Sequence, residues 1–147
     1  MDEVKQRIAC KAVITKDGRA LMVREAAYDE GTNAGRWGFP GGRINPGEPF
    51  MEGFKREVKE ETGLEIADAK PLYVSEWFPV IKGQKNQIVA VFFVCTVASA
   101  NDDDIQLSEE HDAYRWVTAK DVAELDLMGS EPEALAEYFE TTAPAKQ

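Results

Sequence analysis

Cysteine and histidine are almost absent from this chain, two of one and one of the other in 147 residues. Cys10 and Cys95 fall in separate expected strands, and no metal-ligand spacing involves either. A bridge between them is compatible with the sequence, but two small buried hydrophobes are the simpler reading. Basic residues are also short: 17 Lys and Arg stand against 27 Asp and Glu, for a net charge of −10. Sequence-independent binding to duplex nucleic acid needs Lys and Arg to neutralise phosphates, so that class is disfavoured. A small phosphorylated substrate is not, because a bound divalent cation can reverse the local field.

No apolar run approaches the ~20 residues that span a bilayer, so no membrane partner is expected. The longest, Ile88 to Ala98, is β-branched and aromatic and reads as a buried strand. The opening MDEVKQRIAC mixes charges and leads into no apolar h-region, which points to the cytoplasm. Internal repeats, low-complexity tracts and linkers are missing as well. The expectation is one domain over 1–147, large enough to bury a substantial core.

What is present alternates between strand and helix patterns. Arg7 to Thr15 and Arg19 to Arg24 read as antiparallel strands about a Lys-Asp-Gly turn at 16–18. Glu25 to Trp37 reads as a mobile polar loop, and GFPGGRINPGEP as a shaped loop too rich in Gly and Pro for regular structure. Pro49 to Thr62 turns helical, with Pro49 suited to the first position and Gly63 to the left-handed position past the end. Pro71–Phe78, Gln87–Val97 and Ala113–Val117 are further expected strands, with loops at Lys82-Gly83-Gln84 and Asn101–Glu110. Thr118 is expected to cap a helix through Leu125, Ser130 another to about Phe139, and TTAPAKQ to fray. The pattern predicts an α/β fold, a mixed sheet between helices.

At about 100° per residue, Phe50, Met51, Phe54 and Val58 make one apolar stripe of the central helix. Glu52, Lys55, Arg56 and Lys59 fill a polar face, and Glu57, Glu60 and Glu61 crowd an arc at the edge of the stripe. Like charges three or four apart repel by a few tenths of a kcal/mol per pair. Three carboxylates at a rim beside a glycine-rich loop make a hard-oxygen site, suited to Mg²⁺ shared with substrate phosphates. A solvated helix face is the plainer alternative, since Glu52–Arg56 and Arg56–Glu60 have ordinary ion-pair spacing.

The loop decides between them. Gly42, five residues, Glu48, seven residues, then Arg56-Glu57-Val58-Lys59-Glu60-Glu61-Thr62-Gly63-Leu64 resembles a complete Nudix box. The flanking WGFPGG and YRWV are similar to the family too. The resemblance implies a Nudix-type α/β/α sandwich that hydrolyses a phosphoanhydride in a nucleoside diphosphate linked to another moiety, with Mg²⁺ or Mn²⁺. It implies Glu57, Glu60, Glu61 and the Gly42 carbonyl as metal ligands, and Arg56 as the group orienting a carboxylate such as Glu48. Glu110 in SEEHDAYRW matches the place of an extra carboxylate, ligand or base, in several members, with Glu109 one register away. Arg24 matches a place where some relatives meet substrate phosphates. Together with Gly41 and Gly42, Trp37 is a candidate substrate contact; Tyr28, Trp77 and Phe78 could also stack on a base. Each of these has a bland reading as edge or packing residue, and so does His111. Nucleoside or deoxynucleoside triphosphates are the first expected substrates. ADP-ribose or a nucleotide sugar comes second; for ADP-ribose the one pointer is Pro79, near a position that marks some ADP-ribose-cleaving relatives, and turn formation explains it fully. A nucleotide-sensing domain without catalysis is the alternative of another class. A homodimer is compatible with the sequence.

Overall fold

The computed structural model describes residues 3–27, 34–128 and 131–142. Alternation along two inner strands sets its layers. β1 (Lys5–Lys16) runs parallel to β7 (Gln84–Val97), in register from Lys5↔Asn86 to Ile14↔Cys95. Ala9, Val13, Ile88, Ala90 and Phe92 point to one face, where Ala134, Leu135 and Tyr138 of α2 (Glu131–Thr142) cover them. Cys10, Ala12, Ile14, Phe93 and Cys95 point to the other, beneath Phe54 and Val58 of α1 (Phe50–Thr62). Full burial of side chains like Phe54 and Val58 contributes about 1.5–3 kcal/mol each. The fold is therefore the expected mixed sheet between helices. Both cysteines are buried and free.

Across the sheet the order is β3 (Trp37–Gly38), β2 (Arg19–Glu25), β1, β7, β5 (Ile66–Trp77). β4 (Gly41–Arg43) pairs with β1, β6 (Val80–Ile81) with β7, and β8 (His111–Val117) with β2. The expected β1–β2 hairpin closes only at Thr15↔Ala20 and Lys16↔Arg19. Further back, Ala9 to Lys11 pair with β4 instead, so the two strands part.

Several local expectations need correction. The Gly- and Pro-rich stretch is not wholly irregular, because β3 and β4 are short strands that borrow β2 and β1 as templates. Met51 leaves the apolar stripe and is 39% exposed. The strand expected from Pro71 starts at Ile66, paired with Val97, and ends before Phe78. The 82–84 loop narrows to a turn at Lys82-Gly83, both at positive φ, joining β6 to β7. Pro79 shapes the same hairpin, its carbonyl accepting from the Asn86 N–H at 3.0 Å. The 101–110 loop contains one 3₁₀ turn, Asp102–Asp104. The helix expected after Thr118 is only a 3₁₀ turn, Asp121–Glu124. There the capping runs backwards, with the Asp121 carboxylate accepting from the Thr118 N–H at 2.8 Å and hydroxyl at 3.0 Å. Ser130, Tyr28 and the C-terminal TTAPAKQ from 143 onward lie outside the described residues, as does 28–33 of the polar loop. No helix among the described residues is long and apolar enough to cross a membrane.

Candidate active site

α1 starts where the glycine-rich stretch ends, with Pro49 just ahead of it and Gly63 closing it at φ 78°. β4 hangs on β1 through Ala9↔Arg43, Cys10↔Gly42 and Lys11↔Gly41. Gly41 adopts φ 138°, and a Cβ there would collide with the Cys10 carbonyl oxygen, so no side chain fits. Its N–H donates to Glu61 Oε2 at 2.8 Å. A Cβ on Gly42 would lie 2.5 Å from Glu57 Oε2. Bare backbone is what lets two carboxylates of α1 lie directly against β4.

The three glutamates expected on one arc separate by burial. Glu61 is 9% exposed, whereas the side chains of Glu57 and Glu60 are 19% and 58% exposed. Glu60 sits about 100° from Glu61 around the helix, on the side away from Val58. The partial shielding expected of all three therefore holds for Glu57 and Glu61 and fails for Glu60.

Arg56 organises the outer part of this group. Its Nε and Nη2 donate to Glu48 Oε2 and Oε1 at 2.8 and 3.0 Å, a bidentate pair. Its Nη1 donates to Glu57 Oε1 at 3.1 Å and to Glu60 Oε2 at 3.3 Å. The guanidinium holds the Glu48 carboxyl below the usual range. For Glu57 burial outweighs Arg56, and repulsion from Glu60 and Glu110 adds to it, so its carboxyl is lifted. Glu61 has no guanidinium. Burial pushes it up to about 7, against the pull of Lys11 and the Gly41 N–H, and Glu57 and Glu110 push the same way.

A cleft of about 490 Å³ opens over this group. Its wall includes Glu57, Glu61, Gly41, Gly42, Arg43, Glu110 and His111. Glu110 is in that wall and Glu109 is not. The lone histidine also borders the cleft, half-buried beside Glu110. Trp77 also borders the cleft. Arg24, Trp37 and Phe78 are not in its wall. Arg24 pairs with Asp112 at 2.7 Å and lies over the Trp37 ring, 5.7 Å from its centroid. Phe78 is 66% exposed.

Among the described residues, no three acidic, His or Cys side chains stand close enough to enclose a metal ion. The donor chemistry nevertheless fits a hard divalent cation. Glu57, Glu61 and Glu110 share one cleft, two of them desolvated and repelling one another, beside the backbone of Gly41 and Gly42.

Sequence reasoning passed over five polar groups in the wall: Lys11, Glu25, Arg43, Asn45 and Glu131. Lys11 carried a signal, a charge in the middle of the apolar strand IACKAVI. Glu131 carried none, since an acid in the first turn of a helix is ordinary.

A NUDIX domain model matches residues 5–138. Over 129 residues the chain is 31% identical to nucleoside triphosphatase NudI of Escherichia coli O81 (strain ED1a), covering 84% of this chain and 90% of that protein. It superposes on a MutT NUDIX hydrolase from Burkholderia pseudomallei with TM-score 0.72 and 28% identity, covering 90% of this chain and 98% of that one. An ADP-ribose pyrophosphatase from Streptococcus suis shares the fold at TM-score 0.66 and 20% identity, covering 95% and 94%.

Proposed function

The chain belongs to the Nudix hydrolase family, and we propose that it works as a single cytoplasmic domain that cleaves a phosphoanhydride of nucleoside or deoxynucleoside triphosphates with Mg²⁺ or Mn²⁺. One observation carries this: Glu57, Glu61 and Glu110 line the same cleft as the backbone of Gly41 and Gly42. The similarity to NudI, named a nucleoside triphosphatase, supports the substrate class.

Glu57, Glu61, Glu110 and the Gly42 carbonyl would hold the cation, with Glu60 at the outer edge. Once bound, the cation supplies charge neutralisation at the phosphates and an acidified water. The chain's own groups do the rest. Glu48 fixes the Arg56 fork, and Arg56 in turn restrains Glu57 and Glu60. The Gly41 N–H aims Glu61 into the cleft. Arg43 adds a cation to the wall that can meet phosphate oxygens.

The test is a hydrolysis screen of nucleoside triphosphates, ADP-ribose and nucleotide sugars with Mg²⁺ or Mn²⁺, with the products identified. Triphosphate turnover is expected to lead. Faster cleavage of ADP-ribose or a nucleotide sugar would move the chain to the second substrate class. No turnover of any of them would leave a binding domain and defeat the enzymatic reading.

A further inference from the structure

Lys11 and Glu131 form a buried charge pair in the cleft that the proposed chemistry does not use. Lys11 shares strand parity with Ala9 and Val13, so it points toward α2 rather than α1. Its Nζ lies 3.8 Å from Glu131 Oε1, with side chains only 15% and 4% exposed. The surroundings are apolar on this side: Phe39, Trp77, Ile81, Ile88 and Met128 complete the wall. Trp77 is the last residue of β5 and Ile81 the last of β6, and both line the cleft.

The pair is a poor device for stability. Removing two charges from water costs several kcal/mol per ion, and hydrophobic residues of similar volume usually replace such pairs without loss. At 3.8 Å the ammonium is also beyond hydrogen-bond reach of its partner, and Glu131 is its one ion-pair partner among the described residues. Glu131, by contrast, is held firmly: its carboxylate accepts from the N–H groups of Phe39 and of Glu131 itself. A Cβ on Gly38 would come within 3.1 Å of Glu131 Oε1 and collide with Met128, so the backbone has been cut back around the carboxylate. A fixed acceptor beside a donor with free valence, in an apolar slot, is a recognition edge.

We propose that Lys11 and Glu131 read the nucleobase, and that the base they select is guanine. This rests on the nucleotide reading of the same cleft. Guanine presents a carbonyl acceptor, a ring N–H and an amino group in sequence along one edge. Lys11 donates to the carbonyl, and the Glu131 carboxylate accepts from the ring N–H and the amino group together. Adenine and cytosine offer the carboxylate one donor group instead of two. Uracil and thymine set a second carbonyl against the carboxylate. Trp77 and Ile81 cover the ring, and the acidic side of the cleft is left to the phosphates.

The experiment compares guanosine, adenosine, cytidine and uridine triphosphates on wild-type protein, Glu131→Gln, and the double variant Lys11→Met/Glu131→Gln. The double variant removes both charges at once, so it keeps the test alive if a lone buried Lys11 compromises Glu131→Gln. Thermal melting confirms folding of each. Wild type should favour guanosine over adenosine triphosphate by roughly ten- to hundredfold in kcat/KM, and both variants should lose most of that ratio. An equal loss for all four bases would make the pair a phosphate or packing element and overturn the proposal, as would a wild type that prefers another base. Calorimetric binding of non-hydrolysable guanosine and adenosine triphosphate analogues reads the same ratio without turnover. A chain that selects guanine through the pair yet hydrolyses nothing would defeat the enzymatic reading and keep this one. Hydrolysis with a base ratio indifferent to the pair would do the reverse.

Discussion

The two sides of the cleft handle buried charge in opposite ways. Against α1, Glu57 and Glu61 are crowded with the same sign, and Glu110 adds to the repulsion. Against α2, one carboxylate meets one ammonium. The first arrangement holds more carboxylates than the Arg56 fork answers and calls for an added cation. The second is balanced and calls for a neutral ligand that can satisfy a donor and an acceptor. The contrast gives a bound nucleotide a direction, with metal and phosphates toward α1 and the base toward α2.

The hardest test of the contrast is Glu61→Gln. It should lower kcat by orders of magnitude in the triphosphate assay, since an amide is a poor substitute for a cation-binding carboxylate. The fold should survive, because the amide oxygen can still accept from the Gly41 N–H. Unchanged turnover would take Glu61 out of the mechanism.

The same variant carries a pH signature in metal-free protein. Below the ordinary value of 4.5 the Glu61 carboxyl is protonated both folded and unfolded, and it costs nothing. As pH rises from there through about 7, the unfolded chain ionises first, so stability falls. The shift corresponds to about 3 kcal/mol at most. Glu57 and Glu131 are shifted in the same direction and add to the slope. Urea unfolding at pH 5 and pH 8 should show wild type weaker at pH 8, with a smaller difference in Glu61→Gln. Identical differences would mean that Glu61 is not buried as the structure places it.

Gly41→Ala should cost about 2–4 kcal/mol, from a strained φ and a collision with the Cys10 carbonyl. Chemical denaturation measures this, and a loss under about 0.5 kcal/mol would show that β4 can move away from β1. The smallest effect is expected from Glu60→Gln. Glu60 is the exposed member held only at the edge of the Arg56 fork, so kcat should fall less than in Glu61→Gln. A loss as large as that of Glu61→Gln would mean that the outer glutamate is drawn fully into the cation site.

Much of the acidic side was legible in advance. The span of α1 depends on Pro49, Gly63 and a stripe at helical spacing, all local signals, and it was read to within a residue. The contact of Arg56 with Glu48 was implied by the resemblance to the Nudix box, and the structure shows it as a bidentate pair. Other features were decided by neighbours. β3 and β4 exist because β2 and β1 lend them hydrogen-bonding edges, which no property of Trp37-Gly38 or Gly41–Arg43 announces. The helix expected after Thr118 stops at one 3₁₀ turn although Asp121 reaches back to Thr118 as at a helix start, so the local capping signal is present without the helix. Met51 and Glu60 show the limit of a helical wheel, which gives angles but not the width of the surface that covers the helix.

By itself, the sequence determined that a helix would carry clustered carboxylates beside a glycine-rich turn, because spacing along the chain fixes angles around a helix. Only the tertiary structure decided which carboxylates are buried, and that Lys11 and Glu131 meet on one side of the cleft. That meeting depends on β4 occupying the edge of β1 and on α2 packing over the opposite face of the sheet. Residues so far apart in the chain share no local period, and their pairing is set by long-range packing alone.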